Sequence, residues 1–143
     1  MPTALRPARS EDFDFCARLY FSGMEDVIRH LKLDMEAQAK GLRERWDLAE
    51  VQIIASDGMD VGWMQSSIRA DAVFLGQIFV DAAFQRRGIG TEILNGLIGQ
   101  ATRMGLPVTL GVVKTNPARR LYDRLGFRVT HEDERKSYMR RDP

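Results

Sequence analysis

Apolar residues in the first third of the chain recur at the spacing of an amphipathic helix. The first such segment predicts a helix that begins after Ser10, its N-cap, has an acidic first turn and ends near Ile28. Asp34 begins a second helical stretch. Its predicted apolar face carries Met35, Ala39, Leu42 and Trp46. Residues 3–6, which precede both helices, predict a short strand that ends before Pro7.

The pattern then changes to the shorter runs that are typical of strands. Residues 51–54 and 61–66 flank a turn signal at Ser56, Asp57 and Gly58. Residues 73–80 are nearly all apolar, as expected of a strand that is covered on both faces. These three segments together predict an antiparallel meander.

A long apolar stripe marks the third predicted helix, from about Gly88 to Met104. Its predicted buried residues are Ile89, Ile93, Leu94, Leu97, Ile98 and Ala101. Gly105 and Pro107 are expected to end this helix. The strongly apolar residues 108–113 predict a further buried strand.

The end of the chain predicts one more helix and two late strands. Asn116 and Pro117 are typical of an N-cap and a first helical residue, and Gly126 is typical of a helix end. Residues 127–130 and 137–139 predict the strands. The resulting order is β-α-α-β-β-β-α-β-α-β(-β). This order predicts an α/β fold, with helices on a mixed α+β sheet rather than a regular βαβ winding.

Composition narrows the classes of protein that fit. The chain has 143 residues and no repeat, linker or low-complexity segment, which predicts one domain over residues 1–143. The formal net charge of +1 argues against a nucleic acid or a membrane as a partner held by long-range attraction. One cysteine and two distant histidines exclude a disulfide and a recognisable metal site. No segment approaches the ~20 apolar residues of a membrane span, which predicts a cytoplasmic protein.

Residues 85–91, Gln-Arg-Arg-Gly-Ile-Gly-Thr, link the apolar strand to the third helix. The first N–H groups of a helix have no partner within it, and the helix dipole makes that end partly positive. Gly88 and Gly90 remove side chains that would hold a phosphate away from the backbone, and two arginines add positive charge. The loop lacks the Gly-Lys-Ser/Thr of a Walker loop, and Ile93 replaces the third glycine of the dinucleotide fingerprint. The pattern favours phosphate binding over a plain turn.

The spacing Gln85-x-x-Gly88-x-Gly90 resembles the pyrophosphate loop of the GNAT N-acetyltransferases, which bind acetyl-coenzyme A. Residues 116–127, Asn-Pro-Ala-Arg-Arg-Leu-Tyr-Asp-Arg-Leu-Gly-Phe, are similar to a second segment of that family. The resemblance extends over most of the chain and includes the order of elements. It implies a single-domain acyl-coenzyme A N-acyltransferase fold. It also implies transfer of an acetyl group from acetyl-coenzyme A to a primary amine.

The resemblance also implies which residues bind the coenzyme. In the family, the end of the fourth strand pairs with the pantetheine arm, and the loop amides bind the pyrophosphate. An amide near Val80 would then polarise the thioester carbonyl. The implied coenzyme-binding residues are Ile78, Phe79, Val80, Gln85, Arg86, Arg87, Gly88, Ile89, Gly90, Thr91 and Asn116. Acetyl-coenzyme A is the expected co-substrate, and no metal is implied.

Tyr122 stands where the family's tyrosine approaches the coenzyme sulfur, which implies a catalytic role. A phenol whose pKa is near ~10 stays protonated at neutral pH and can donate a proton to a leaving thiolate. The alternative is that Tyr122 only packs on the buried face of its helix. Asn116 either bonds the coenzyme or only caps its helix. Many relatives place the tyrosine seven residues after the asparagine, whereas the gap here is six, and one residue is ~100° of helix rotation.

No general base is assigned. Family members often carry a glutamate on the fourth strand, but this strand carries Gln77, which cannot accept a catalytic proton. Asp81 is more simply a loop carboxylate. The helix region that lines the family's acceptor site carries Glu25, His30 and Glu36, but each is more simply a surface or structural residue. Cys16 lies among apolar helical residues, so we expect direct attack by the amine in a ternary complex rather than transfer through a cysteine.

The missing base keeps a second function open, a non-catalytic acyl-coenzyme A sensor or partner-binding module on the same fold. The acceptor is an unidentified primary amine on a small molecule or a peptide, and the resemblance leaves a homodimer open. Residues 114–128 contain five basic residues and one acidic residue, a local balance of +4. This segment and the loop arginines therefore predict a basic surface beside the coenzyme.

Overall fold

The computed structural model describes residues 3–143, and its elements follow the predicted order. The helices are α1 (Phe13–His30), α2 (Met35–Arg45), α3 (Ile89–Arg103) and α4 (Arg119–Arg124). The strands are β1 (Thr3–Pro7), β2 (Val51–Ser56), β3 (Met59–Arg69), β4 (Ala72–Val80), β5 (Val108–Val113), β6 (Arg128–Glu132) and β7 (Lys136–Arg141). Two short 3-10 turns, Ser10–Asp12 and Ala82–Phe84, precede α1 and α3. The α/β class that the sequence predicts is confirmed.

The seven strands form one mixed sheet in the order β1-β2-β3-β4-β5-β7-β6. Strands β1 and β2 pair antiparallel, as do β2 and β3, β5 and β7, and β6 and β7. Strand β4 runs parallel to β5, with Val73 opposite Val108 and Phe74 opposite Thr109. The order confirms that β2, β3 and β4 are consecutive neighbours, as the meander requires.

The chain divides into two compact units. The first contains the described residues up to Gln65 together with Gln77–Gly90, and the second contains Ser66–Gly76 and Thr91–Pro143. The core cluster of the first unit consists of Cys16, Leu19, Tyr20, Leu42, Val51, Ile53 and Trp63. Its α1 members repeat at three- and four-residue spacing, so they share one face of the helix.

Three predicted helix features and the bounds of one strand are confirmed. The second helix begins at Asp34 as predicted, and the Asp34 carboxylate caps α2 by accepting a hydrogen bond from the N–H of Ala37 at 3.3 Å. The predicted apolar stripe of α3 is buried along its whole length, since none of its six residues is more than 8% exposed. Gly105, whose φ is 72°, follows the helix end. Strand β5 has the predicted bounds.

Helix α1 differs from the prediction at both ends. It extends to His30, and Ser10 is not its N-cap but the first residue of the preceding 3-10 turn. The carboxylate of Asp12 accepts a hydrogen bond from the N–H of Arg9 at 2.8 Å. The guanidinium of Arg6 binds the same carboxylate through two hydrogen bonds, at 2.9 and 3.0 Å. This contact with β1 fixes the turn, and no local capping pattern contains it.

The last helix is shorter than predicted. It begins at Arg119 rather than beside Asn116, and Ala118 is its N-cap. The side-chain oxygen of Asn116 accepts a hydrogen bond from the N–H of Ala118 at 2.9 Å, which forms a turn before the helix. Gly126, with a φ of 93°, follows the helix as predicted.

Strand β4 is not covered on both faces, contrary to the prediction. Val73 and Leu75 are buried, Gly76 is exposed, and residues 77–80 are half-buried. In this second half, Phe79 packs against the core cluster of the first unit. The apolar run therefore extends to a strand end that remains partly accessible.

Among the helices formed by residues 3–143, none combines the length and the apolar character needed to cross a bilayer.

Candidate functional site

The end of β4 is anchored by the ring of Phe79. Its centroid lies 5.5 Å from the ring of Tyr20 and 5.6 Å from that of Trp63. A Cβ at Gly23 would lie 2.7 Å from the Phe79 ring, so glycine allows α1 to pack directly on this ring. The side chain of Phe79 is thus engaged in the core, which leaves its main chain for the role that the resemblance implies.

Gly62 of β3 allows the main chain of β3 to lie very close to the main chain at the end of β4. A Cβ at Gly62 would lie 2.4 Å from the carbonyl oxygen of Phe79 and 3.2 Å from the Cα of Val80. Only glycine accommodates such a close approach of two backbones. Gly62 is not among the residues predicted from the sequence, although an isolated glycine within a strand pattern is a signal for close backbone approach.

Short-range hydrogen bonds shape the loop that follows β4. The carboxylate of Asp81 accepts a hydrogen bond from the N–H of Ala83 at 3.0 Å, and the N–H of Asp81 donates to the carbonyl of Val61 at 2.8 Å. The side-chain amide of Gln85 donates to the carbonyl of Val80 at 2.9 Å. Gln85 therefore folds the loop back onto the strand end.

The main chain then turns into the left-handed region. Arg86 has a φ of 64° and Gly88 a φ of 78°. A positive φ is uncommon for a residue with a Cβ, and such residues concentrate at functional sites. Within residues 3–143, the N–H groups of Arg86, Arg87 and Gly88 donate to no acceptor. Consecutive unbonded amides before a helix are an arrangement that binds anions.

Packing within the fold does not explain why residue 90 is glycine. The φ of Gly90 is not left-handed, and apart from its chain neighbours and the backbone of its own helix, a Cβ there would meet no atom within 4 Å among the described residues. The same space surrounds Gly88, whose positive φ does favour glycine. Both positions therefore leave the main chain of the loop open on its outer side.

The loop carries more positive than negative charge. Arg86 and Arg87 are exposed, and the Arg87 guanidinium carbon lies 5.3 Å from the centroid of the Phe84 ring. The carboxylate of Asp81 lies 3.6 Å from a guanidinium nitrogen of Arg18. The negative charge of Asp81 is thus partly compensated by Arg18. The two loop arginines, Arg86 and Arg87, have no carboxylate partner in residues 3–143.

Tyr122 is buried in the second unit, with 7% of its surface exposed. Its ring packs edge-on against Phe127, with centroids 5.7 Å apart. Burial disfavours the phenolate and raises the pKa of Tyr122 to about 12. With this pKa the hydroxyl is protonated at neutral pH, and it has no hydrogen-bond partner among residues 3–143.

The predicted site residues fall into both units. Nine of them lie together in the first unit, namely Ile78, Phe79, Val80, Gln85, Arg86, Arg87, Gly88, Ile89 and Gly90. Thr91, Asn116 and Tyr122 belong to the second unit. The oxygen of the Asn116 side chain is used in its turn, so a bond from this residue to the coenzyme would have to use its amide N–H groups.

Residues 17–127 match the family model described as Acetyltransferase (GNAT) family. The chain belongs to this family. The matched range contains the loop and the segment around Tyr122, which are the two segments on which the resemblance rested.

Two curated relatives share part of their sequence with this GNAT protein. A mycothiol acetyltransferase from Acidimicrobium ferrooxidans is 36% identical in an alignment of 110 positions that covers 71% of this chain and 36% of that protein. The human cysteine-rich protein 2-binding protein is 36% identical over 68 residues, which are 48% of this chain and 8% of that protein. The alignments thus span about a third or less of these relatives' length.

Solved structures share the GNAT fold over the whole chain. The PaiA N-acetyltransferase of Thermoplasma acidophilum, in complex with coenzyme A, has a TM-score of 0.81 at 16% identity and full coverage of both chains. The N-acetylglutamate synthase of Neisseria gonorrhoeae, complexed with coenzyme A and N-acetylglutamate, has a TM-score of 0.70 at 18% identity. That match covers 99% of this chain and 35% of the synthase.

The candidate bases of this GNAT protein are poorly suited to that role. Gln77 is half-buried and carries no carboxylate, and the Asp81 carboxylate already binds the Ala83 N–H. Glu25 is exposed and lies 3.8 Å from a guanidinium nitrogen of Arg29. His30 and Glu36 are exposed on α1 and α2. We therefore assign no general base.

Cys16 is a core residue, as the sequence predicts. It is fully buried, and burial raises the pKa of its thiol to about 11. A thiol in this state is a poor nucleophile at neutral pH.

One open depression of the second unit lies outside these residues. It is lined by Thr102, Gly126, Arg128, Arg140, Arg141, Asp142 and Pro143. The carboxylate of Asp142 accepts hydrogen bonds from Arg128 at 3.2 Å and from Arg140 at 2.7 Å. Two of its arginines are thus paired, and none of the predicted site residues lines it.

Proposed function

We propose that this GNAT protein is an acetyl-coenzyme A-dependent N-acetyltransferase that acts on a primary amine by direct attack in a ternary complex. The proposal combines family membership with the chemistry of the loop and of Tyr122. The coenzyme complexes of the two structural neighbours support coenzyme A as the carrier.

The loop carries the proposal. It presents three consecutive N–H groups that have no acceptor among residues 3–143, an arginine with a positive φ, and a glycine at residue 90 that packing does not require. A pyrophosphate that contacts the backbone uses all three features, because it needs donors, a concave main chain and no side chain in the way. Arg86 and Arg87 supply positive charge for the same group. These residues fit the coenzyme.

In this proposal, the residues of the chain bind the coenzyme and supply a proton to the leaving group. The coenzyme supplies an activated acetyl thioester when bound. As the amine nitrogen forms the new C–N bond and the C–S bond breaks, the hydroxyl of Tyr122 is proposed to donate its proton to the leaving sulfur. The acetylated nitrogen releases its extra proton to the solvent, and the phenolate of Tyr122 regains a proton from the solvent, so the charges balance over one turnover. Because the raised pKa keeps this hydroxyl protonated, the donor is available over the whole neutral range.

Thermal unfolding with added ligands tests the binding half of the proposal. Acetyl-coenzyme A should raise the melting temperature, whereas NAD and ATP at equal concentration should raise it less. The matched variant Gly88→Val should lose most of this ligand-dependent rise. No shift with any acyl-coenzyme A would refute the proposal.

A second candidate is a non-catalytic acyl-coenzyme A sensor on the same fold. The observation that favours it is the amide of Gln77 on β4 together with the engaged carboxylate of Asp81. Thioester consumption and acetylated product across a panel of amine classes distinguish the two candidates. Protection by acetyl-coenzyme A without any product would favour the sensor.

A further inference from the structure

We propose that Arg119, Ser137 and Glu132 are positioning residues that hold Tyr122 in its buried place. The inference rests on the proposed function for the catalytic meaning of Tyr122. Its structural part, the control of where Tyr122 sits, stands on contacts within the second unit alone.

Ser137 is the centre of this group. Its side chain lies on β7 and is fully buried. The hydroxyl donates a hydrogen bond to the Glu132 carboxylate at 2.6 Å and accepts one from the Arg119 guanidinium at 3.2 Å. Both capacities of a buried hydroxyl are thus used, and its loss would leave both partners without this contact.

Arg119 connects this group to Tyr122. It is the first residue of α4, and Tyr122 follows three residues later, one turn along the same helix. An isolated helix of six residues is not stable in water, because the cost of its first turn is not recovered. The position of Tyr122 therefore depends on whatever fixes α4 from outside.

The contacts at the two ends of α4 are different in kind. At the far end, the guanidinium of Arg141 donates to the carbonyl of Leu125 at 2.8 Å, which fixes the main chain directly. At the near end, Arg119 lies 3.8 Å from Glu132, and both side chains are more than a third exposed. An exposed pair of this kind contributes little alone. The buried hydroxyl of Ser137 between them supplies the fixed geometry.

The side chain of Tyr122 has no polar anchor of its own among the described residues. Its hydroxyl meets no hydrogen-bond partner in residues 3–143, and its ring is held by packing such as that on Phe127. A small rotation of α4 would therefore move the hydroxyl without breaking any bond of its own. Such a rotation would change the burial of the Tyr122 phenol and therefore its pKa, so a measured pKa detects the rotation.

Three variants test the group: Ser137→Ala, Arg119→Ala and Glu132→Gln. We expect each to lower kcat by about tenfold or more, because small displacements of a reacting group are costly, while KM for acetyl-coenzyme A changes little. Arg119→Lys, which keeps a donor for Ser137, should recover most of kcat. Glu134→Gln and Arg135→Ala, exposed neighbours in the same hairpin, should match the wild type.

A second readout does not depend on activity. The tyrosinate absorbance of the wild type, compared with Tyr122→Phe, gives the pKa of Tyr122. In Ser137→Ala and Arg119→Ala this pKa should fall from about 12 toward its ordinary value, because the ring becomes more solvated. A merely structural role would lower the melting temperature and leave this pKa, measured in the folded variant, unchanged.

The outcomes separate the two claims. An unchanged pKa of Tyr122 and an unchanged kcat in all three variants would overturn the positioning role. If the wild type consumes no thioester with any amine, the proposed function fails, while the titration still decides the positioning role. Should Ser137→Ala not fold, the partly exposed Arg119 and Glu132 variants give the same reading.

Discussion

The loop of residues 81–90 and the segment that carries Tyr122 are built in opposite ways. The loop is shaped by hydrogen bonds between near neighbours, such as Gln85 with Val80, and three of its amides have no acceptor in the described part of the chain. The Tyr122 segment is held by β7 side chains that are far away in sequence. Arg119 meets Ser137 eighteen residues on, and Leu125 meets Arg141 sixteen residues on.

In the proposed function, the loop binds the coenzyme and Tyr122 donates a proton. A backbone site depends on local φ and on missing side chains, so it tolerates changes elsewhere in the fold. A buried phenol depends on distant side chains that set its position and its pKa. We therefore expect variants of the loop to change affinity, and variants around Tyr122 to change turnover.

The largest expected effect is that of Tyr122→Phe. Loss of the proton donor should lower kcat by about a hundredfold, the lower end for general acid catalysis, while the Kd for acetyl-coenzyme A stays near the wild-type value. Steady-state kinetics with the best amine and calorimetric titration of the coenzyme measure the two quantities. Equal kcat in the variant would mean that Tyr122 has no catalytic role. Weaker coenzyme binding would mean that Tyr122, like the loop, contributes to affinity.

The next effect concerns the strand end from which the loop departs. Gly62→Ala places a methyl group against the Phe79 carbonyl, 2.4 Å away, so the backbone itself must shift. Overpacking of this kind should lower the free energy of unfolding by about 2 kcal/mol, as measured by urea unfolding.

Gly23→Ala is the matched comparison for Gly62→Ala. Its new methyl group meets the ring of Phe79 rather than a backbone atom, and alanine gains helix propensity in α1. The loss of unfolding free energy should therefore be smaller than for Gly62→Ala. A larger loss would mean that the ring, and not the main chain, limits packing at this strand end.

Local features of the fold were predictable from the sequence. The Asp34 cap, the apolar stripe of α3 and the Gly126 turn each depend on residues within a few positions of one another. The same holds for the glycines of the loop. Their physical causes act over one helical turn, so the local pattern contains them.

Contacts between distant segments were not predictable in this way. Residues 114–128 carry a local balance of +4, yet Arg119 pairs with Glu132 and Arg128 with Asp142, both outside the counted segment. Ser10 loses its expected capping role because Arg6 binds the Asp12 carboxylate. Such partners are chosen by tertiary structure, and a single sequence does not identify them.

Alkaline stability provides a third test. The pKa of Tyr122 is raised from 10.0 to about 12 by burial, so between these values the unfolded chain loses its proton first. The stabilisation is complete below pH 10 and is lost as the pH rises through about 12. The stabilisation that is lost amounts to roughly 3 kcal/mol.

Urea unfolding of the wild type and Tyr122→Phe at several pH values measures this loss. The difference in unfolding free energy between the two proteins should change across this window, while the contribution of Cys16, common to both, cancels. If the difference in unfolding free energy stays constant with pH, Tyr122 is more solvated than the fold indicates. Tyr122 would then differ less from the exposed loop.

The smallest expected effect gives the most specific test of coenzyme binding by the loop. Gly90→Ala adds a methyl group that meets no protein atom within 4 Å of the described chain, at a helical position where alanine is preferred. The free energy of unfolding should therefore rise by about 0.5 kcal/mol. If the backbone binds pyrophosphate, the same methyl group stands in the way, and the Kd for acetyl-coenzyme A should increase by about tenfold.

Gly96→Ala in the same helix is the control for Gly90→Ala. It also has open space around the new Cβ, so it should gain stability without any change in affinity. If only Gly90→Ala raises stability and weakens coenzyme binding, the weaker binding cannot come from a damaged fold. A damaged fold would lower both the stability and the affinity. A gain in both quantities would instead mean that the open side of the loop is not the coenzyme site.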